Sequence, residues 1–140
     1  MGTGENLWKD SLVSKKPQCW TFHDNLYGAS YALHRGGTWQ EAEKNFYHKI
    51  NKPWEPDEED TLKGSRAMTL FHPETKSVGF WFKEWGRRQE DYATLAHECV
   101  HAANRVLCAS GVPLGGAGTD EPHAYYVGWL MRACLEVLRQ

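Results

Sequence analysis

The chain has 140 residues, of which 41% are hydrophobic, and this is enough for one domain with a modest core and no disulfides. Its formal net charge of -2 argues against a nucleic-acid-binding protein, which needs a basic excess on one face. No apolar run reaches the length of a membrane span, and the segment from Met1 to Asp10 has no apolar signal-peptide core. We therefore expect a cytoplasmic protein that binds neither nucleic acid nor a membrane.

The cysteines and the N-terminal residues set the expected domain organisation. None of the four cysteines forms a CxxC pair, which disfavours a cysteine zinc knuckle. Cys99, Cys108 and Cys134 lie among apolar residues with helical patterning, so we expect buried free thiols. Residues 1–17 are predicted to be loosely structured and residues 18–140 to form one domain. No feature of the sequence predicts an oligomer, so a monomer is expected.

The first half of the chain predicts strand followed by helix. Residues 19–35 are rich in aromatic and small side chains and indicate one or two strands, broken near Gly28. Thr38 followed by Glu41 is typical of a capping box, and apolar residues then recur at three- to four-residue spacing. The pattern predicts a helix from Trp39 to Ile50, followed by a loop with an acidic run over residues 51–64.

The second half predicts a hairpin followed by two helices. The strands are expected at Arg66–Phe71 and Ser77–Lys83, and in the second of these Val78, Phe80 and Phe82 share one face. The helices are expected from Gln89 to Ser110 and from Thr119 or Asp120 nearly to Gln140. The order of strand, helix, hairpin, helix and helix is an α+β layout.

The motif that carries chemistry is H-E-x-x-H, which lies inside the first of these two helices. His97 and His101 are one turn apart on the same face, so both imidazoles can reach one cation. Glu98 points in a neighbouring direction, where it can contact a zinc-bound water and accept its proton without being a ligand. Uncharged flanking residues predict that this part of the helix is buried, where unpartnered histidines are costly.

A third metal ligand is predicted at Glu121, in the first turn of the last helix. A glycine-rich turn separates the two helices, and it can bring the second helix back against the first. Two histidines and one carboxylate leave the fourth position of a zinc ion open, as a catalytic site requires. The alternative for Glu121 is a first-turn glutamate that interacts favourably with the helix dipole.

The run from Thr94 to Ala103, with Glu121 downstream, resembles the zincin metallopeptidases of the gluzincin type. The run from Glu121 to Tyr125 is also similar to the third-ligand helix of small bacterial and phage zincins. This resemblance implies a minimal zincin-like domain with a small β-sheet, a helix in the N-terminal half, the H-E-x-x-H helix and a C-terminal third-ligand helix. It implies one Zn²⁺ per chain and a peptide or protein substrate hydrolysed by water that Glu98 activates.

The resemblance also implies a place for the substrate. In zincins a strand just before the active helix forms the rim of the cleft, and an extended peptide pairs with it. Ser77–Lys83 occupies that place in the sequence, and Gly79, Phe80 and Trp81 are similar to the small-then-aromatic run of that strand. Substrate binding is therefore expected there, although a plain core hairpin explains the same side chains.

Three further residues have candidate roles near the metal. Many gluzincins carry an aspartate four residues after the third ligand, where this chain has Tyr125. Tyr125 is a candidate for binding the oxyanion or orienting Glu121, or else a half-buried core tyrosine. His123 is a second oxyanion candidate or an exposed helix histidine, and Asn104 is a candidate to support a ligand histidine through a hydrogen bond.

A non-catalytic zincin-fold protein that binds a host or regulatory partner is the alternative function.

Overall fold

The computed structural model describes residues 16–56, 64–115 and 120–140. Within these ranges the chain forms four strands and three helices: β1 (Gln18–His23), β2 (Ser30–Arg35), α1 (Trp39–Lys49), β3 (Ala67–His72), β4 (Ser77–Phe82), α2 (Gln89–Ala109) and α3 (Glu121–Leu138). The predicted α+β content and the predicted elements are confirmed, and Gly28 lies in the β1–β2 turn with a φ of 75°. Most of the N-terminal segment and most of the acidic run, residues 1–15 and 57–63, lie outside the described residues.

The four strands form one mixed sheet in the order β1-β2-β4-β3. β1 pairs antiparallel with β2, β3 pairs antiparallel with β4, and the two hairpins join through parallel pairing of β2 with β4. β4 is therefore an inner strand, and β3 is an edge strand. Over the described part of the chain, no helix is both long and apolar enough to cross a bilayer.

Helices cover both faces of this sheet, which explains why every residue of β4 is buried. On one face, Val78, Phe80 and Phe82 pack in a core with α2 and α3, as the strand alternation predicts. On the other face, Trp81 packs in a smaller cluster with Trp39 of α1. The helix that contains the H-E-x-x-H motif, α2, thus packs against the sheet through the larger core.

The start of α2 is fixed by Asp91, a buried carboxylate six residues before the H-E-x-x-H motif. It accepts hydrogen bonds from the backbone N–H groups of Gly86 at 2.8 Å and Arg88 at 3.0 Å. Burial acts to raise the pKa of this carboxyl, but the hydrogen bonds from Arg88 and Gly86 outweigh it and hold the pKa below its usual range. The register of α2 at its N-terminal end is therefore well determined.

The capping box predicted for α1 is present. The Thr38 hydroxyl accepts from the Glu41 N–H at 3.2 Å, and the Glu41 carboxylate accepts from the Thr38 N–H at 3.2 Å. Thr38→Ala is expected to lower the free energy of unfolding by about 1 kcal/mol, because one amide at the helix start loses its acceptor. Urea denaturation measures the change, and Thr38→Ser, which keeps the hydroxyl, is the control. An unchanged midpoint for the alanine variant would contradict the role of this cap.

Candidate active site

His97 and His101 lie together on the exposed side of α2, which corrects the expectation that this part of the helix is buried: Glu98 and Cys99 are buried, but both histidines are exposed. Their Nε2 atoms are 3.0 Å apart, and the ring centroids are separated by 4.6 Å at an interplanar angle of 79°. Two nitrogens bound to one tetrahedral zinc at its usual bond lengths lie about 3.3 Å apart. The two nitrogens are thus within hydrogen-bond distance of each other and close to the separation of two ligands of one metal ion, as the i, i+4 spacing predicts.

Glu98 takes a different position from the histidines, because it is only 7% exposed and faces the sheet. The hydroxyl of Thr69 on β3 donates a hydrogen bond to its Oε2 atom, and the same hydroxyl oxygen lies 3.3 Å from the Glu98 carbonyl oxygen. This contact ties the edge strand to the motif. Thr69 is a residue that sequence reasoning missed, since nothing in the sequence shows which strand lies beside α2.

A cleft of about 690 Å³ opens between β3 and α2. Glu98 and His101 line one side together with Arg105, and residues of β3 including Thr69 line the other. Cys108 also lines this cleft and is exposed, which corrects the expectation that it is a buried thiol, whereas Cys99 and Cys134 are buried as predicted. Residues of the H-E-x-x-H motif and of the edge strand β3 therefore line the same cleft.

The expected substrate strand was wrongly placed at Gly79, Phe80 and Trp81. These residues lie on β4, whose two edges are already paired with β2 and β3, so it has no free edge for strand addition. Their side chains are explained by packing: Phe80 and Trp81 are buried on opposite faces, and Gly79 lies under Phe46 of α1. The strand with a free edge beside the cleft is β3.

The structure does not bring Glu121 to the two histidines. Glu121 is exposed and lines another cavity, between the first turns of α3 and the β1–β2 turn. Across residues 16–56, 64–115 and 120–140, no group of three or more His, Cys, Asp or Glu side chains is placed to hold a metal. Two of the three predicted ligands are thus assembled, and the third remains a prediction from spacing and resemblance.

Among the described residues, no hydrogen bond or ring contact joins the remaining candidates, Tyr125, His123 and Asn104, to the two imidazoles. Tyr125 is 77% exposed, so it is not the half-buried core tyrosine of one alternative, and it lines the same cavity as Glu121, away from the histidines; its predicted roles in orienting Glu121 or binding the oxyanion stay predictions. His123 is buried at 6% exposure rather than exposed, and its Nδ1 atom has no hydrogen-bond partner. Asn104 is half-buried, and its side chain forms no hydrogen bond with His97 or His101.

Comparison with known proteins adds no assignment: no family model, no curated protein and no solved structure matches the chain.

Proposed function

We propose that the chain is a zinc-dependent peptidase whose active site is the cleft between β3 and α2. The observation that carries the proposal is the pair of exposed imidazoles with Nε2 atoms 3.0 Å apart, one of which, His101, lines the same cleft as Glu98. The two histidines are the proposed metal ligands, and a zinc ion bound there would polarise a scissile carbonyl and make water more acidic. Glu121, which the sequence predicts as the third ligand by spacing and resemblance, lines another cavity, so we propose no third protein ligand.

The proposed roles in the cleft belong to Glu98, to Thr69 and to the backbone of β3. Glu98 accepts a proton from the attacking water and then passes it to the leaving amine, as a general base and then a general acid. Burial beside Thr69 holds the Glu98 carboxylate in one position, which keeps its distance to the reacting water fixed. The free edge of β3 offers backbone N–H and C=O groups to an extended peptide, so the substrate is expected to add as a further strand.

Metal content tests the ligand assignment. Protein purified without a histidine tag and supplied with zinc is expected to hold about one zinc ion per chain. His97→Ala and His101→Ala should each lose most of this zinc, because one imidazole cannot replace two. His48→Ala, at an exposed histidine of α1, is the matched control and should keep it. Cleavage of a peptide library should stop with a chelator and return with zinc. Wild-type protein without zinc would refute the proposal.

The second candidate is a non-catalytic protein that binds a partner through the same cleft. It is favoured by two observations: Glu121 lies away from the histidines, and the Glu98 carboxylate is already engaged by Thr69. Zinc bound stoichiometrically with no cleavage of any peptide in the library would support this candidate over the peptidase.

A further inference from the structure

A second cavity, of about 830 Å³, lies between the β1–β2 turn and the first turns of α3. Four aromatic residues line it: Tyr27, Tyr125, Tyr126 and Trp129. It shares no lining residue with the cleft between β3 and α2. An inference about this cavity therefore bears on the peptidase proposal only through Glu121, whose carboxylate the sequence predicts to be a metal ligand.

The aromatic rings of this cavity are held in two orientations. Tyr126 and Trp129 are stacked, with centroids 5.6 Å apart and an interplanar angle of 16°. Tyr27 stands almost perpendicular to Tyr126, at 83° and a centroid distance of 5.3 Å. Tyr126 is only 4% exposed, whereas Trp129 and Tyr125 are 37% and 77% exposed, and exposed ring faces attract organic cations through the ring quadrupole.

A network of hydrogen bonds fixes the inner wall. The buried Asp24 carboxylate accepts from the N–H groups of Leu26 at 2.7 Å and Tyr27 at 3.0 Å, and from the Tyr126 hydroxyl at 2.8 Å. Because Tyr126 donates to Asp24, the hydroxyl of Tyr31 donates to Tyr126. Burial raises the pKa of Tyr31 and of Tyr126, so both hydroxyls stay neutral and the wall keeps its shape.

The charges of the lining favour a cation. Asp24 and Glu121 are its two carboxylates, and no lysine or arginine among the described residues lines the cavity. The ammonium of Lys76, which is not a lining residue, donates to the Tyr27 carbonyl at 3.0 Å, and the imidazole of the lining residue His23 is within 3.1 Å of the Ser30 hydroxyl. Glu121 is exposed, and no lysine, arginine or histidine of the described residues pairs with its carboxylate.

We infer that this cavity binds an arginine side chain of a peptide or protein partner. A guanidinium stacks on tyrosine and tryptophan rings and pairs with a carboxylate through two parallel hydrogen bonds, here with Glu121. The exposed Leu26, at 77% exposure, and Tyr125 border the cavity and offer apolar surface to the aliphatic part of the side chain. A small ion alone would leave most of this surface uncovered.

The test is a titration followed by NMR at the indole N–H of Trp129, which is assigned with Trp129→Phe. The probe is the blocked peptide Ala-Arg-Ala, compared with the same peptide carrying citrulline, a neutral isostere of arginine. The arginine peptide is expected to shift the Trp129 signal and to bind about tenfold more tightly than the citrulline peptide. Titrations with and without chelator should agree, which separates this result from the fate of the zinc proposal.

Substitutions at the cavity test which residues contact the arginine side chain of the peptide. Glu121→Gln should weaken the arginine peptide about threefold, and Tyr125→Ala should weaken it further. Glu136→Gln, at an exposed glutamate near the other end of α3, is the control and should leave binding unchanged. Equal binding of both peptides would overturn the inference, and so would equal binding of the bare guanidinium ion, which would identify a small-ion site. Loss of zinc in Glu121→Gln would also overturn it, because the carboxylate would then belong to the metal.

Discussion

Replacing Glu98 with glutamine is expected to lower kcat/KM for peptide hydrolysis by about 10²- to 10⁴-fold and to leave zinc bound. Glutamine has nearly the same shape, and its amide oxygen can still accept the hydrogen bond from the Thr69 hydroxyl. The buried position therefore stays filled and partnered, but the group that accepts the proton is lost. The measurement is kcat/KM on the best substrate from the peptide library, with zinc content determined on the same samples.

The control for this experiment is Glu90→Gln, at an exposed glutamate in the first turn of the same helix. It removes one negative charge from α2 without touching the cleft, so activity should stay at the wild-type level. Thermal unfolding should be similar for all three proteins. Wild-type activity in Glu98→Gln would show that Glu98 is not the base, whatever metal the protein holds.

Gly79→Val is expected to destabilise the fold strongly, because the space above Gly79 is already filled. A Cβ atom at Gly79 would lie 2.8 Å from Cδ1 and 3.1 Å from Cγ of the buried Phe46 ring. Neither side can give way easily, since β4 is paired along both edges and Phe46 is packed in α1. We expect a loss of about 2 kcal/mol for Gly79→Ala and about 3 kcal/mol for Gly79→Val.

Urea denaturation of the Gly79 variants measures these changes in the free energy of unfolding. A glycine substitution elsewhere in the chain, which is expected to stabilise the fold, is the control. Gly128 lies inside α3, and a Cβ atom added there would meet no atom of another element within 4 Å. Gly128→Ala should therefore raise the free energy of unfolding by about 0.5–1 kcal/mol, as alanine does in helix interiors. A second variant, Gly79→Ala combined with Phe46→Leu, should recover part of the loss. Wild-type stability in Gly79→Val would contradict the packing of α1 on the sheet.

Local patterns in the sequence were sufficient for the secondary structure. The bounds of α1 follow from a capping box at Thr38 and the Phe46 periodicity, and both are local signals. The two faces of β4 follow from simple alternation, because Val78 and Trp81 are separated by an odd number of positions. The imidazole pair is equally local, since one turn of helix fixes the relation of His97 to His101.

The features that the sequence did not predict depend on contacts between distant parts of the chain. The order of strands in the sheet is decided by the parallel pairing of β2 with β4, which no local pattern reports. One signal was present: Ser77–Phe82 has no charged residue on either face, which is typical of an inner strand and not of an edge. The position of Glu121 relative to α2 likewise depends on how two helices cross, and spacing along the chain does not determine that angle.

The parallel pairing at the centre of the sheet also has a consequence for how the chain folds. Ser30 to Arg35 must meet Ser77 to Phe82, and α1, the intervening loop and β3 all lie between them in the chain. The entropy of closing so long a segment is lost before the central contacts form. Both hairpins can form early because the two strands of each are close together in the sequence. We expect the pairing of β2 with β4 to be the slow step. Refolding is therefore expected on the order of milliseconds, slower than for a helical bundle of this size and faster than for an all-β domain.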